Sequence, residues 1–122
     1  MKIVIVGDGK VGFALAMQLD KEGHDVTIIE EKQKVLNNTL NLLDVVGIQG
    51  NGANYDIQMA AGVNQADLLI AATSADEMNL LCCMIAKKNG RTANDRPYPQ
   101  SRIYPKSCTF KRRLGIKYAY QS

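Results

Sequence analysis

The chain has 122 residues and a formal net charge of +3, enough for one domain and too short for two ordinary ones. With 46% hydrophobic and 22% charged residues it has the composition of a soluble globular protein, and no apolar stretch is long enough to span a membrane. Three cysteines, two of them adjacent at Cys82 and Cys83, form neither a disulfide framework nor a metal-ligand spacing and suit a reducing compartment. The apolar start Ile3-Val4-Ile5-Val6 stops at Gly7 with no cleavage site after it, so no secretory leader is expected and the predicted location is cytoplasmic.

The charge is unevenly placed. Residues 1 to 88 hold seven lysines, no arginine and eleven acids, a net −4, whereas residues 89 to 122 hold eight Lys/Arg and one acid, a net +7. Every arginine, every proline and four of the five tyrosines fall in that second segment. Two compositions meet near Asn89, and the pI of about 8.8 describes neither.

Along the first segment, strand and helix patterns alternate as in a parallel sheet covered by crossover helices. Lys2 to Val6 is a β-branched run suited to a strand buried on both faces. Residues 10 to 22 show helical spacing through Val11, Leu15 and Leu19, and Gly23 breaks it. Val26 to Ile29 is the second strand. Residues 31 to 43 return to helical spacing through Val35, Leu36, Leu40 and Leu43, and Val45 to Ile48 is a weaker third strand. A short helix over 54 to 61 ends at Gly62 in a left-handed cap. Leu68 to Ala72 is the fourth strand, and a last helix runs from about Ala75 to Lys88 with Leu80, Leu81, Met84 and Ile85 expected inward. The predicted fold class is α/β, a Rossmann-type parallel sheet with helices on both faces, ending after the fourth strand and helix.

Gly7-Asp8-Gly9-Lys10-Val11-Gly12 is a G-x-G-x-x-G between a strand and a helix. Gly7 allows a tight turn, Gly9 lets backbone approach a pyrophosphate, and Gly12 permits close helix packing, with the phosphates on the helix N-terminus. Asp8 is expected to face solvent, because a carboxylate pointing inward would repel phosphate. Glu30 closes the second strand 21 residues after Gly9, near the separation expected of an acid that accepts from a ribose 2′-hydroxyl, and its charge disfavours NADP. The competing reading is that Glu30 and Glu31 cap the next helix. Asn51, in Gly50-Asn51-Gly52, is read as facing the adenine, and Thr73 and Ser74 as lining the cleft near the phosphates or nicotinamide. Asn51 as a plain turn residue, and Ser74 as an N-cap boxed with Glu77, stay open. His24, the sole histidine, lies at the amino end of its strand, away from any catalytic position, and Cys82 and Cys83 read as small buried hydrophobes. No catalytic constellation and no metal site can be assembled.

Three stretches, MKIVIVGDGKVGFALAMQLDKEGHDVTIIE, then GNGAN, then AGVNQADLLIAATSADEMNLLCCMIAKK, together resemble the TrkA N-terminal family, the RCK or KTN domains of the NAD-binding peripheral subunits of Trk potassium uptake systems. The resemblance covers residues 1 to about 90. It implies a non-enzymatic regulatory domain that binds NAD or NADH, or in some relatives ATP or ADP. Cofactor contacts would fall at Gly7, Asp8, Gly9, Lys10, Val11, Glu30, Thr73 and Ser74. It also implies assembly into a dimer or ring and control of a membrane potassium-transport subunit from the inner face of the membrane, without insertion.

Residues 91 to 122 depart from the family. Read one base out of frame, Asn94 to Tyr104 is compatible with Thr-Ile-Ala-Arg-Ile-Arg-Asn-Pro-Glu-Tyr, and Arg112 to Ser122 with Glu-Asp-Leu-Gly-Leu-Ser-Met-x-Ile-Asn, both similar to the family continuation. A frameshift between about Asn89 and Asn94 is therefore expected. On that reading the tail is disordered, and the lost fifth strand leaves the edge of the fourth exposed. Competing functions are the cofactor half of an NAD-dependent dehydrogenase, a nucleic-acid module using Tyr98, Tyr104, Tyr118 and Tyr120 of the basic tail, and a Rossmann-like protein with an empty cleft. No nucleic-acid partner is expected.

Overall fold

The strands form because runs of Ile and Val tolerate burial on both faces, and the helices between them each carry one apolar stripe. This computed structural model describes residues 1–88 and the backbone of 89 and of 118–121. In chain order the elements are β1 (Lys2–Val6), α1 (Lys10–Lys21), β2 (Asp25–Glu30), α2 (Gln33–Leu42), β3 (Val46–Gln49), α3 (Tyr55–Ala60), a 3-10 turn (Val63–Gln65), β4 (Leu68–Ala71), α4 (Asp76–Asn89) and β5 (Tyr118–Gln121). Each of the first eight predicted elements lies within two residues of its observed bounds. Gly62 has φ +79°, the left-handed cap the sequence required.

The strand order is β3-β2-β1-β4-β5, with β1 to β4 parallel. Alternate residues of β1 feed two cores. Ile3 and Ile5 join Ile28, Ile70, Ala16 of α1 and Leu36 of α2 on one face. Val4 and Val6 join Ile29, Leu69, Cys82, Cys83 and Ala86 on the other. Each fully buried aliphatic side chain contributes about 1.5–3 kcal/mol.

Two expectations are corrected here. In α4 the inward side chains are Asn79, Cys82, Cys83 and Ala86, whereas Leu80, Leu81 and Met84 are exposed, Met84 at 57%. Small side chains let α4 lie close to the sheet, and Asn79 is anchored beneath the loop before the helix. That anchor fixes a helical phase that the apolar residues alone, present on every face, leave open.

The second correction concerns the edge of β4. Tyr118–Gln121 pairs antiparallel with it along its whole length, from Leu68 opposite Gln121 to Ala71 opposite Tyr118. Edge pairing uses backbone N–H and C=O groups, so a short extended segment containing strand-forming tyrosines suffices. The rest of the segment read as disordered, including Tyr98 and Tyr104, lies outside the described residues.

Candidate nucleotide-binding site

All parallel strands end at the same edge of the sheet, and the loops after β1, β2, β3 and β4 meet there around a cavity of about 390 Å³, within the range of small-molecule sites. Gly7, Asp8, Gly9, Glu30, Asn51, Thr73 and Ser74 line it. Lys10, Val11 and Gly12 lie just beyond, in the first turn of α1, where backbone amides have no intrahelical partner.

The glycine loop divides its work. Gly7 has φ +99°, a turn that a side chain would strain. A Cβ on Gly12 would overlap the Gly7 carbonyl, so its absence lets α1 begin directly behind the loop. In front of Gly9, by contrast, a Cβ would meet nothing within 4 Å. The protein itself does not require glycine there, and the open space in front of it fits an approaching ligand.

Glu30 stands beside the loop, at the end of β2. Its Oε1 accepts from the Asp8 backbone N–H at 3.1 Å and its Oε2 from the Lys32 N–H at 2.9 Å. The acid therefore steadies the entry to α2 and also lines the cavity. Carboxylate oxygens retain further lone pairs for hydroxyl donors.

Asp8 departs from expectation. Rather than facing solvent it is 4% exposed, turned toward Thr39 of α2, because the Gly7 turn and the bond from its own N–H to Glu30 fix its backbone. Neither carboxylate oxygen has a hydrogen bond of full geometry, with the Thr39 hydroxyl close by. Burial pushes the Asp8 carboxyl above its ordinary value of 3.8; the nearby Thr39 hydroxyl offsets part of this, and the charge of Glu30 adds to it.

Beyond β3, Asn51 lines the cavity while its Oδ1 accepts from Ala53 N–H at 2.8 Å, the bond of a turn residue. Beyond β4, the Ser74–Glu77 capping box is not formed. Thr73 Oγ1 instead accepts from Ala75 N–H, and Asn79 binds Thr73. Sequence reasoning missed Asn79 and also Gln58, which is fully buried and donates to the carbonyls of Gly52 and Cys82. A polar side chain at an inward helical position was the signal available for both. It missed Lys32, Val35 and Met78 of the lining as well. His24 sits at the far end of β2, beside the N-terminus and Glu22, as expected. Among the described residues no group of three or more His, Cys, Asp or Glu could hold a metal, and no helix is long and apolar enough to cross a membrane.

A glycine loop on a helix N-terminus with an acid beside it at the end of the next strand suits a diphosphate joined to a ribose. Sequence comparison identifies the lineage that carries this arrangement here: the model of the TrkA-N domain matches residues 3–97. The chain belongs to the TrkA-N family. Its curated TrkA-N relatives include the Trk system potassium uptake protein TrkA of Azorhizobium caulinodans, 41% identical over 85 residues, which cover 70% of this chain and 19% of that one. The TrkA homologue of Archaeoglobus fulgidus is 48% identical over 90 residues, 74% of this chain and 20% of the relative. That of Methanothermobacter thermautotrophicus is 41% identical over 88 residues, 72% and 41% respectively. This chain thus spans between a fifth and two fifths of the length of these relatives.

Among solved structures, the C-terminal domain of Kef from Shewanella denitrificans in its AMP-bound form superimposes with a TM-score of 0.62 at 24% identity, over 72% of this chain and 52% of that one. The GsuK channel bound to NAD gives 0.63 at 16% identity, over 71% and 16%. Both share the Rossmann-like architecture of this TrkA-N domain.

Proposed function

We propose that this chain binds NAD or NADH at the carboxyl edge of its sheet and serves as the regulatory, gating part of a Trk-type potassium uptake system, without catalysing a reaction. The observation that carries the reading is that Gly9, with open space in front of it, and Glu30, bonded to the adjacent Asp8 amide, line one cavity. The amides of Gly9, Lys10 and Val11 take the pyrophosphate, with Gly7, Asp8 and Gly12 shaping the loop. Glu30 takes the adenosine ribose, Asn51 lies at the adenine, and Thr73 and Ser74 meet the second nucleotide. The names of the curated relatives support the potassium-uptake role, and the NAD-bound GsuK channel supports the cofactor. The partner is a membrane potassium-transport subunit, approached from the cytoplasmic face by a dimer or ring of these domains. A second reading, a sensor of ATP or ADP, is favoured by the AMP-bound Kef domain.

Calorimetric titration with NADH, NAD, NADPH and ATP, on the unaltered chain and Glu30→Ala, tests both. NADH and NAD are expected to bind, NADPH more weakly, and Glu30→Ala to lose about tenfold in NADH affinity. ATP binding tighter than NADH selects the second reading, and no binding by any of the four removes both.

A further inference from the structure

Thr73 lies past the last hydrogen-bonded residue of β4, so the sheet does not hold it. The Ala75 backbone, bonded to its hydroxyl, and one buried side chain do. Asn79, fully buried one turn into α4, directs its whole amide at this residue. Its Oδ1 accepts from the Thr73 N–H at 2.9 Å and from the Thr73 hydroxyl at 2.6 Å, and its Nδ2 donates to the Thr73 carbonyl at 3.0 Å. A backbone donor on one side and a backbone acceptor on the other leave one orientation of the amide.

The strand order sets what this controls. The loop after β1 lies mid-sheet, between the ends of β2 and β3, where Glu30 and Asn51 stand, and the end of β4, where Thr73 stands. A dinucleotide whose ribose is held by Glu30 and whose diphosphate crosses the Gly7–Gly9 loop must lay its second nucleotide over the end of β4. A mononucleotide held by Glu30 does not reach it. We infer that Asn79 is a positioning residue for the second half of a dinucleotide, acting through Thr73 and setting the preference of the cleft for dinucleotides over adenine mononucleotides. This rests on the NAD reading above.

The test measures NAD and AMP affinity by calorimetry on the full 122-residue chain, with Asn79→Ala and Asn79→Asp, each normalised to the unaltered chain at the same pH so that effects of Asp8, of the neighbouring Glu30 and of the ligand phosphates cancel. Asn79→Ala is expected to weaken NAD about tenfold and AMP less than about twofold. Asn79→Asp has nearly the same shape, and its protonated form can still donate to the Thr73 carbonyl. Its NAD affinity should approach that of the unaltered chain near pH 5.5 and fall about tenfold by pH 8, while AMP stays level. This arm remains decisive if Asn79→Ala fails to fold. Equal losses for both ligands, or no loss for either, overturn the inference. If the unaltered chain binds AMP but not NAD, or neither, the NAD reading itself fails and takes the inference with it.

Discussion

The Glu30 carboxylate accepts the backbone N–H of Asp8 at 3.1 Å, which ties the end of β2 to the middle of the glycine loop. One side chain thus shapes the loop that would hold a diphosphate and faces the place of the neighbouring ribose. Glu30→Gln keeps an acceptor oxygen for Asp8 but loses the charge. NADH affinity is expected to fall about threefold to tenfold, with the preference against NADPH largely lost, as read by calorimetric titration with both cofactors.

Asp8 is buried and its carboxyl is raised, so the folded state holds its proton more tightly than the unfolded chain does. The protonated form is therefore the stabilising one. Its contribution is complete below the ordinary value of 3.8 and is lost as pH rises through the raised folded value. Asp8→Asn should stabilise the chain by about 1 kcal/mol at pH 7, with the gain vanishing toward pH 4. Thermal melts of both proteins across that range check the sign; a gain that grows on acidification would contradict it.

Gly12 and Gly9 should respond in opposite ways. Gly12→Ala forces a methyl into the Gly7 carbonyl and is expected to cost about 3 kcal/mol, the upper end for overpacking, because backbone has to move. Gly9→Ala meets open space and should leave unfolding in urea unchanged within about 0.5 kcal/mol, while NAD affinity drops at least about tenfold.

Gln58→Leu keeps the volume but leaves the carbonyls of Gly52 and Cys82 without this donor. A loss of about 2 kcal/mol is expected in urea unfolding.

The coding DNA should contain, in the +1 frame from about the codon of Asn94, the family-like continuation Thr-Ile-Ala-Arg-Ile-Arg-Asn-Pro-Glu-Tyr. Resequencing the segment between Asn89 and Asn94 settles whether a base is missing or added there. Any other +1 translation refutes the frameshift.

Much of this architecture was legible because strand and helix periods differ. Ile3 to Val6, short, β-branched and stopped by Gly7, reads as a buried strand, and the glycine loop followed 21 residues later by Glu30 restricts the topology further. Where every face of an element is apolar, periodicity has no purchase. α4 carries Leu80, Leu81 and Met84 as well as Cys82, Cys83 and Ala86, and the phase was decided by Asn79, a polar residue with a partner six positions away. Asp8 was misplaced for a related reason. Its charge argues for solvent, but the backbone on either side was already committed to Gly7 and Glu30. Gln58 shows in the sequence as a polar residue at an inward helical position, but its partners Gly52 and Cys82 meet it only after folding, so local sequence does not name them.

The central place of β1 has a consequence for how the molecule opens. β1 is the middle strand of the sheet, paired in parallel with β2 and β4 and buried in both cores, and the glycine loop hangs directly from its end. Amide hydrogens of Ile3 to Val6 should be the last to exchange with deuterium, after those of the outlying β3 and β5. Edge strands can then come and go while the floor beneath the cleft persists, and a ligand seated on that floor would slow exchange mainly in the peripheral loops it bridges.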